Sequence, residues 1–209
     1  NYDGNFKEDD FYVSKSNKQI FDLLNKWPKW EKNFLNISGE KNSGKSHLIE
    51  IFLKKFKGIC FEAKSFDVSK LELIKFHQNI VLEDLNKNID ENLIYSLFNI
   101  IDQENKYLII TSLKSIVDLK FDLNDLNSRC KNFLLQEIYQ PDDELMFALF
   151  IKNFSDRQIS IDKKLIDYII KRIDRSYGKI FDFIYKIDEL SLKKKKSIDL
   201  KIVKEVLGE

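Results

Sequence analysis

Residues 39–46 read Gly-Glu-Lys-Asn-Ser-Gly-Lys-Ser, and no other stretch restricts the fold so tightly. The pattern G-x-x-x-x-G-K-S forms a phosphate-binding loop when it joins a strand to the start of a helix. Both flanks supply that context. Phe34-Leu35-Asn36-Ile37-Ser38 alternates apolar and polar residues as a short strand does. Leu48, Ile49, Phe52, Leu53 and Phe56 fall on one helical face. Gly39 and Gly44 let the backbone wrap an anion, and the N–H groups of Glu40, Lys41, Asn42, Ser43 and the helix start point at it. The helix dipole adds positive potential. Lys45 would pair with β- and γ-phosphates, and the Ser46 hydroxyl would ligate Mg²⁺. The competing reading, a plain glycine turn between core elements, is weakened by the scarcity of glycine, six residues in the chain.

With 209 residues, 43% hydrophobic and 33% charged, the chain is expected to fold as one large domain or a domain with an appendage. No apolar run approaches the ~20 residues that span a bilayer, and no signal-peptide pattern opens the chain, so a cytoplasmic, non-membrane protein is expected. The first residue is Asn1 rather than Met, so a preceding segment is not excluded. Cys60 and Cys130 lack metal spacing and read as buried thiols. Net charge is +1, too small for a global field that attracts nucleic acid. Lys193–Lys196 is a short basic run, either a solvated helix end or a contact for DNA or an acidic partner.

Taken in order, residues 1–10 are polar and acidic and are expected to be mobile. Phe11–Asn17 is an extended lead into a helix with Ile20, Phe21, Leu23 and Leu24, which ends near Trp27-Pro28. The Trp-Pro-Lys-Trp tetrad reads as packing at a helix end rather than ligand recognition. After the glycine loop and its helix, Gly58–Glu62 reads as a strand, and Leu71, Leu73, Ile74 and Phe76 as a short helix or turn beneath it. His47 caps or packs the loop helix and His77 is structural; neither has a second ligand at metal spacing.

Asn79-Ile80-Val81-Leu82-Glu83-Asp84 is an apolar run that ends in two acids. By itself this is a weak signal, since buried strands often exit into acidic turns. About 35 residues after a phosphate loop it gains weight, because one acid can hold Mg²⁺ through water and the next can orient or deprotonate an attacking water. A helix over about 90–104, a buried strand at Tyr107–Ser112, a short helix over 121–129 with an exposed Arg129, and a strand beginning at Phe133 follow. This alternation predicts an α/β domain with a doubly wound parallel sheet over residues 11–140. After Pro141 the period is helical throughout: about 142–155, 162–173, 176–193 and 199–207, with starts at Ser160-Ile161-Asp162 and Ser197-Ile198-Asp199. A small all-helical domain over 141–209 is therefore expected.

That order of parts resembles the AAA+ ATPases, whose α/β core carries a helical lid. Within them the chain resembles the DnaA lineage, and most of all the Hda-type regulatory inactivators of DnaA. The resemblance is carried by Phe11–Asn17, Trp27-Pro28-Lys29-Trp30, residues 39–48, Val81–Leu85, Ile109-Ile110-Thr111-Ser112, Leu126-Asn127-Ser128-Arg129 and Asp174-Arg175-Ser176-Tyr177. It implies ADP or ATP with Mg²⁺ as ligands. Tyr12 and Val13 would line the adenine pocket, with Asn17 supporting that turn, while Gly39 to His47 would hold the phosphates. Glu83 and Asp84 would be the Walker B acids, joined by Ser46 as the metal set, and Thr111 the sensor. Arg129 matches an arginine finger that reaches a nucleotide on a neighbouring subunit; on the residues alone, a surface Arg paired with Asp122 or Asp125 is the favoured reading.

Two departures from the family pattern bear on activity. Glu83-Asp84 stands where DnaA proteins tend to carry Asp-Asp, and the lid's sensor arginine aligns with Gly178, with Arg175 and Lys179 nearby. Both point to weak or no intrinsic hydrolysis. The resemblance implies a regulator of replication initiation that stimulates hydrolysis of DnaA-bound ATP, the alternative being a DnaA-related ATPase or an adaptor that recruits another replication factor. Partners would be DnaA and the sliding clamp on DNA, though no clamp-docking segment is visible in residues 1–10, and a homodimer is possible. DnaA initiators continue past the lid into a DNA-binding domain; this chain stops at Glu209, so sequence-specific DNA binding is not expected.

Overall fold

In a computed structural model of the chain, which describes residues 11–209, the glycine loop joins an interior strand of a parallel sheet to a helix. The expectation for residues 1–10 lies outside the described residues. These residues form two units, one of Phe11 and Asn17–Ile138, the other of Tyr12–Ser16 and Tyr139–Glu209.

The first unit runs α1 (Lys18–Asn25), β1 (Phe34–Gly39), α2 (Lys45–Phe56), β2 (Ile59–Glu62), α3 (Val68–Ile74), β3 (Asn79–Leu85), α4 (Glu91–Gln103), β4 (Tyr107–Ser112), α5 (Asn124–Cys130) and β5 (Leu134–Ile138). The strands lie in the order β2-β3-β4-β1-β5, and every pairing is parallel. Interior strands of such a sheet are covered on both faces, which is why β3 and β4 read as nearly continuous apolar runs. Edge strand β2 instead alternates half-buried and exposed residues. Leu93, Ile94, Leu97, Phe98 and Ile101 of α4 join Ile80, Leu82, Leu108 and Ile110 in one core. The buried amide of Asn36, midway along β1, is fully used. Its Nδ2 donates to Ile110 O at 3.1 Å and Ser112 Oγ at 2.9 Å, and its Oδ1 accepts from Ile116 N at 2.9 Å.

The tryptophans do pack a helix end. Trp30 Nε1 donates to Leu23 O at 2.7 Å, its ring stacks on Phe52, and Trp27 meets Phe52, Phe56 and Tyr107. The short helix or turn expected around 71–76 is a helix, but its apolar residues do not all face inward. Ile74 is buried, but Leu73 and Phe76 are exposed, Phe76 by 82%. Helix α3 spans 68–74, and Phe76 lies beyond its end.

The second unit contains α6 (Asp143–Asp156), α7 (Lys163–Ile170), α8 (Tyr177–Lys194) and α9 (Leu200–Leu207). Each start falls one residue later than the periodicity predicts, because the first polar residue is the cap rather than the first turn. Asp142, Asp162, Ser176 and Asp199 each accept a hydrogen bond from a backbone N–H two or three residues on. The core of this unit is Met146, Phe150, Phe154, Ile166, Ile169, Ile180, Ile184, Ile187, Ile202 and Val203 with their neighbours. Among the described residues, no helix is long and apolar enough to cross a membrane.

Phe98→Ala should cost about 3–5 kcal/mol of stability in urea unfolding, the range for emptying a fully buried aromatic site. Phe76→Ser should stay within about 0.5 kcal/mol of the parent.

Candidate functional site

Gly39 closes β1 and Gly44 caps α2 in the left-handed region, with φ 93°. A side chain at Gly39 would press on Ser43 Oγ at 2.9 Å and Ile138 Cβ at 3.1 Å, so both glycines answer a local need. Inside the curve the buried Lys45 Nζ donates to Gly39 O at 2.7 Å and Glu40 O at 2.9 Å. Burial lowers the Lys45 pKa, and the Asp84, Glu83 and Glu40 carboxylates oppose that shift. Glu40, Lys41, Asn42 and Ser46 are exposed, whereas Ser43 and His47 are buried. The His47 ring meets the Phe11 ring edge-on at 5.1 Å.

Beside the loop, β3 changes register against β4. Leu82 pairs with Ile110 and Leu85 with Ser112, so Glu83 and Asp84 together oppose Thr111. Asp84 has φ 57°, and its N–H donates to the buried Thr111 Oγ1 at 3.0 Å. Glu83 Oε2 lies 3.5 Å from Cys60 Sγ. A pocket of about 440 Å³ is lined by Ser46, Ile49, Glu50, Leu53, Cys60 and Glu83. Two polar atoms here, Ser43 Oγ and Glu83 Oε1, are shut off from solvent without a hydrogen-bond partner. Ser46 and Glu83, both on this pocket, offer hard oxygen donors of the kind that hold Mg²⁺ beside phosphate oxygens, and the loop amides suit an anion, so these residues fit a Mg-nucleotide.

The other expected residues are distributed as follows. Arg129, near the end of α5, is not the exposed Arg that was expected. It is partly buried, with Nη1 3.3 Å from Asp102 Oδ2, Nε 3.8 Å from Asp125 Oδ2 and its guanidinium 5.0 Å from the Tyr95 ring centroid. Asp122, its other candidate partner, pairs with Lys87 at 3.2 Å. Asn17, in the first unit, is buried, and its carbonyl accepts from Phe21 N at 3.1 Å. Tyr12 and Val13 are exposed members of the second unit. In that unit Arg175 pairs with Asp143 at 2.6 Å, and Lys179 is exposed, its N–H donating to Ser176 Oγ at 3.4 Å.

Two features of this site were not anticipated. Cys60 is exposed rather than buried, because β2 is the sheet edge, and it is the neighbour of Glu83. Asp102 comes to Arg129 from α4, a pairing that no local spacing announces.

Residues 142–207 match the family model for the Hda lid domain. Over 188 residues the chain is 26% identical to an uncharacterized protein of Haemophilus influenzae, covering 84% of this chain and 81% of that one. It is 28% identical over 144 residues to the chromosomal replication initiator protein DnaA of Flavobacterium psychrophilum, covering 65% of this chain and 30% of that protein. Domain III of Thermotoga maritima DnaA superposes with a TM-score of 0.76 at 17% identity, covering 98% of this chain and 96% of that chain. The chain is thus similar to the Hda lid over its C-terminal third and to DnaA over much of its length. AMPPCP-bound DnaA from Aquifex aeolicus shares the fold with a TM-score of 0.69 at 19% identity, covering 92% of this chain and 70% of that chain. The parallel sheet with its flanking helices and the helical second unit are the fold shared with domain III of Thermotoga maritima DnaA. Against Flavobacterium DnaA this chain spans less than a third of the length.

The two thiols should be slow toward thiol reagents in the folded protein. Burial alone raises Cys130 to about 12. Partial burial of the sulfur, followed by the Glu83 carboxylate, raises Cys60 to about 12. Because a raised pKa keeps the thiol protonated, labelling of both at pH 8 should be at least about tenfold slower than in the unfolded chain, whose thiols titrate near 8.5. Labelling kinetics with and without denaturant measure this; equal rates would contradict it.

Proposed function

We propose that this protein is a nucleotide-binding regulator of chromosomal replication initiation that stimulates hydrolysis of DnaA-bound ATP. The observation that carries the reading is the Hda lid match over 142–207, on a chain whose first unit holds a strand–glycine loop–helix with a buried Lys45. The domain division that goes with it is an AAA+ core over 11–140 and a lid over 141–209, in a cytoplasmic protein.

In this reading ATP or ADP with Mg²⁺ occupies the glycine loop, a reading supported by the AMPPCP-bound state of the Aquifex aeolicus DnaA that shares the fold. Gly39 to His47 hold the phosphates, Lys45 neutralises them, and Ser46, Glu83 and Asp84 supply the oxygen donors for the metal. Tyr12 and Val13 line the adenine side with Asn17 beneath, Thr111 acts as sensor, and Arg175 or Lys179 serves from the lid. The bound metal would supply charge neutralisation on the phosphate oxygens. The protein's own turnover is weak or absent.

Arg129 is the finger offered to ATP on DnaA. Its bonds to Asp102 and Asp125 are partly solvated, and such surface pairs are worth about 0–1 kcal/mol, so exchanging them for a partner's phosphate carries little penalty. A guanidinium suits that role, because phosphoryl transfer gains mainly from charge stabilisation. The partners are then DnaA and the sliding clamp on DNA, together with a second copy of this chain in a homodimer.

Single-turnover hydrolysis of DnaA-bound ATP, with DNA-loaded clamp, tests this. The wild-type protein should raise the rate on the order of tenfold or more, and Arg129→Ala should abolish the gain. If Arg129→Ala works as well as wild type, the protein is an adaptor. If neither accelerates hydrolysis while the protein turns over ATP itself, it is a DnaA-related ATPase.

A further inference from the structure

The register break in β3 has a consequence for both acids. In an unbroken strand successive side chains alternate between faces, so Glu83 and Asp84 would point to opposite sides of the sheet. Here two residues of β3 stand against the single Thr111 of β4. This is the count of a β-bulge, which bends the strand and re-aims a side chain. The extra residue also returns Leu85 to the face of Ile80 and Leu82, and all three share one core with Ile110. At the bulge, Asp84 takes the left-handed backbone conformation, φ 57°, which is uncommon for residues other than glycine, though Asp tolerates it better than most.

We infer that Thr111 is a positioning residue: its hydroxyl, by accepting the Asp84 N–H at 3.0 Å, latches the β3 bulge so that Glu83 and Asp84 both serve the glycine loop. Three features meet at this latch. Thr111 is fully buried, so its hydroxyl needs a partner, and Asp84 N supplies the hydrogen bond. The Asp84 N–H falls where the ladder is broken, and Thr111 gives that donor its acceptor. The acids straddle the bend, with Glu83 on the pocket that Ser46 lines and Asp84 exposed. Thr111 therefore acts through the backbone of Asp84, apart from any contact it makes with a nucleotide.

The test compares Thr111→Val, which keeps the shape and removes the acceptor, with Thr111→Ser, which keeps the hydroxyl. The first readout is amide hydrogen exchange at Asp84 in the nucleotide-free protein, which stands whether or not the chain binds nucleotide. Asp84 N–H should exchange about tenfold or more slower in wild type and Thr111→Ser than in Thr111→Val, as expected when one hydrogen bond shields an otherwise exposed amide. The second readout rests on the nucleotide reading: ADP affinity with and without Mg²⁺. Thr111→Val should lose the gain that Mg²⁺ gives, and Thr111→Ser should restore it. Equal exchange at Asp84 in wild type and Thr111→Val overturns the latch. A lost latch with an unchanged Mg²⁺ gain overturns its positioning role. Absence of ADP binding in wild type sinks the nucleotide reading and leaves the latch to the exchange data. If Thr111→Val does not fold, the wild-type Asp84 amide decides: protection supports the latch, and exchange at the rate of a free amide overturns it.

Discussion

A lysine ammonium taken out of water must find oxygen partners, and Lys45 finds them in the carbonyls of the loop that precedes it. That one requirement links several others. For Nζ to reach the carbonyls of Gly39 and Glu40, the chain must leave β1 in a tight curve and re-enter as α2 through a left-handed Gly44. The curve in turn brings Ser43 Oγ against the Cβ position of Gly39, so a larger residue there would displace the loop. The acids at the end of β3 complete the balance, since they favour the charged form of a lysine that burial alone would disfavour. The loop, the adjoining strand ends and the start of α2 form one electrostatic unit, and the rest of the sheet fixes its parts.

What was legible in the sequence followed from how local each signal is. The glycine loop needs only eight consecutive residues and their immediate flanks, so its strand and helix could be read directly. Buried strands β3 and β4 showed as apolar runs because a parallel sheet covers both their faces. The lid helices were placed to within a residue at their starts, with Asp142, Asp162, Ser176 and Asp199 acting as caps rather than first turns. The bulge in β3 left a trace that periodicity could have caught: Ile80 and Leu82 are two apart, but Leu85 is three on from Leu82, out of phase for a regular strand.

Other features depend on the tertiary arrangement. Cys60 looks like an interior residue of an apolar strand, and only the strand order makes β2 an edge. Arg129 had Asp125 one helical turn away as a visible partner, but Asp102 and Tyr95 arrive from α4 across the fold. Tyr12–Ser16 adjoin α1 in the chain yet belong to the helical unit, through contacts such as Tyr139 N to Ser16 O at 3.2 Å. A local reading assigns them to the wrong neighbour.

All roles assigned to the site depend on a nucleotide entering the glycine loop. Titration calorimetry of the purified chain with ADP and with ATP, each in Mg²⁺, measures this most directly. The account predicts one site per chain with micromolar or tighter affinity, and loss of binding by at least about a hundredfold in Lys45→Ala, the cost of removing a charge-assisted phosphate contact. Wild-type protein that releases no heat with either nucleotide at millimolar concentration, or a Lys45→Ala variant that binds as tightly as wild type, would contradict it.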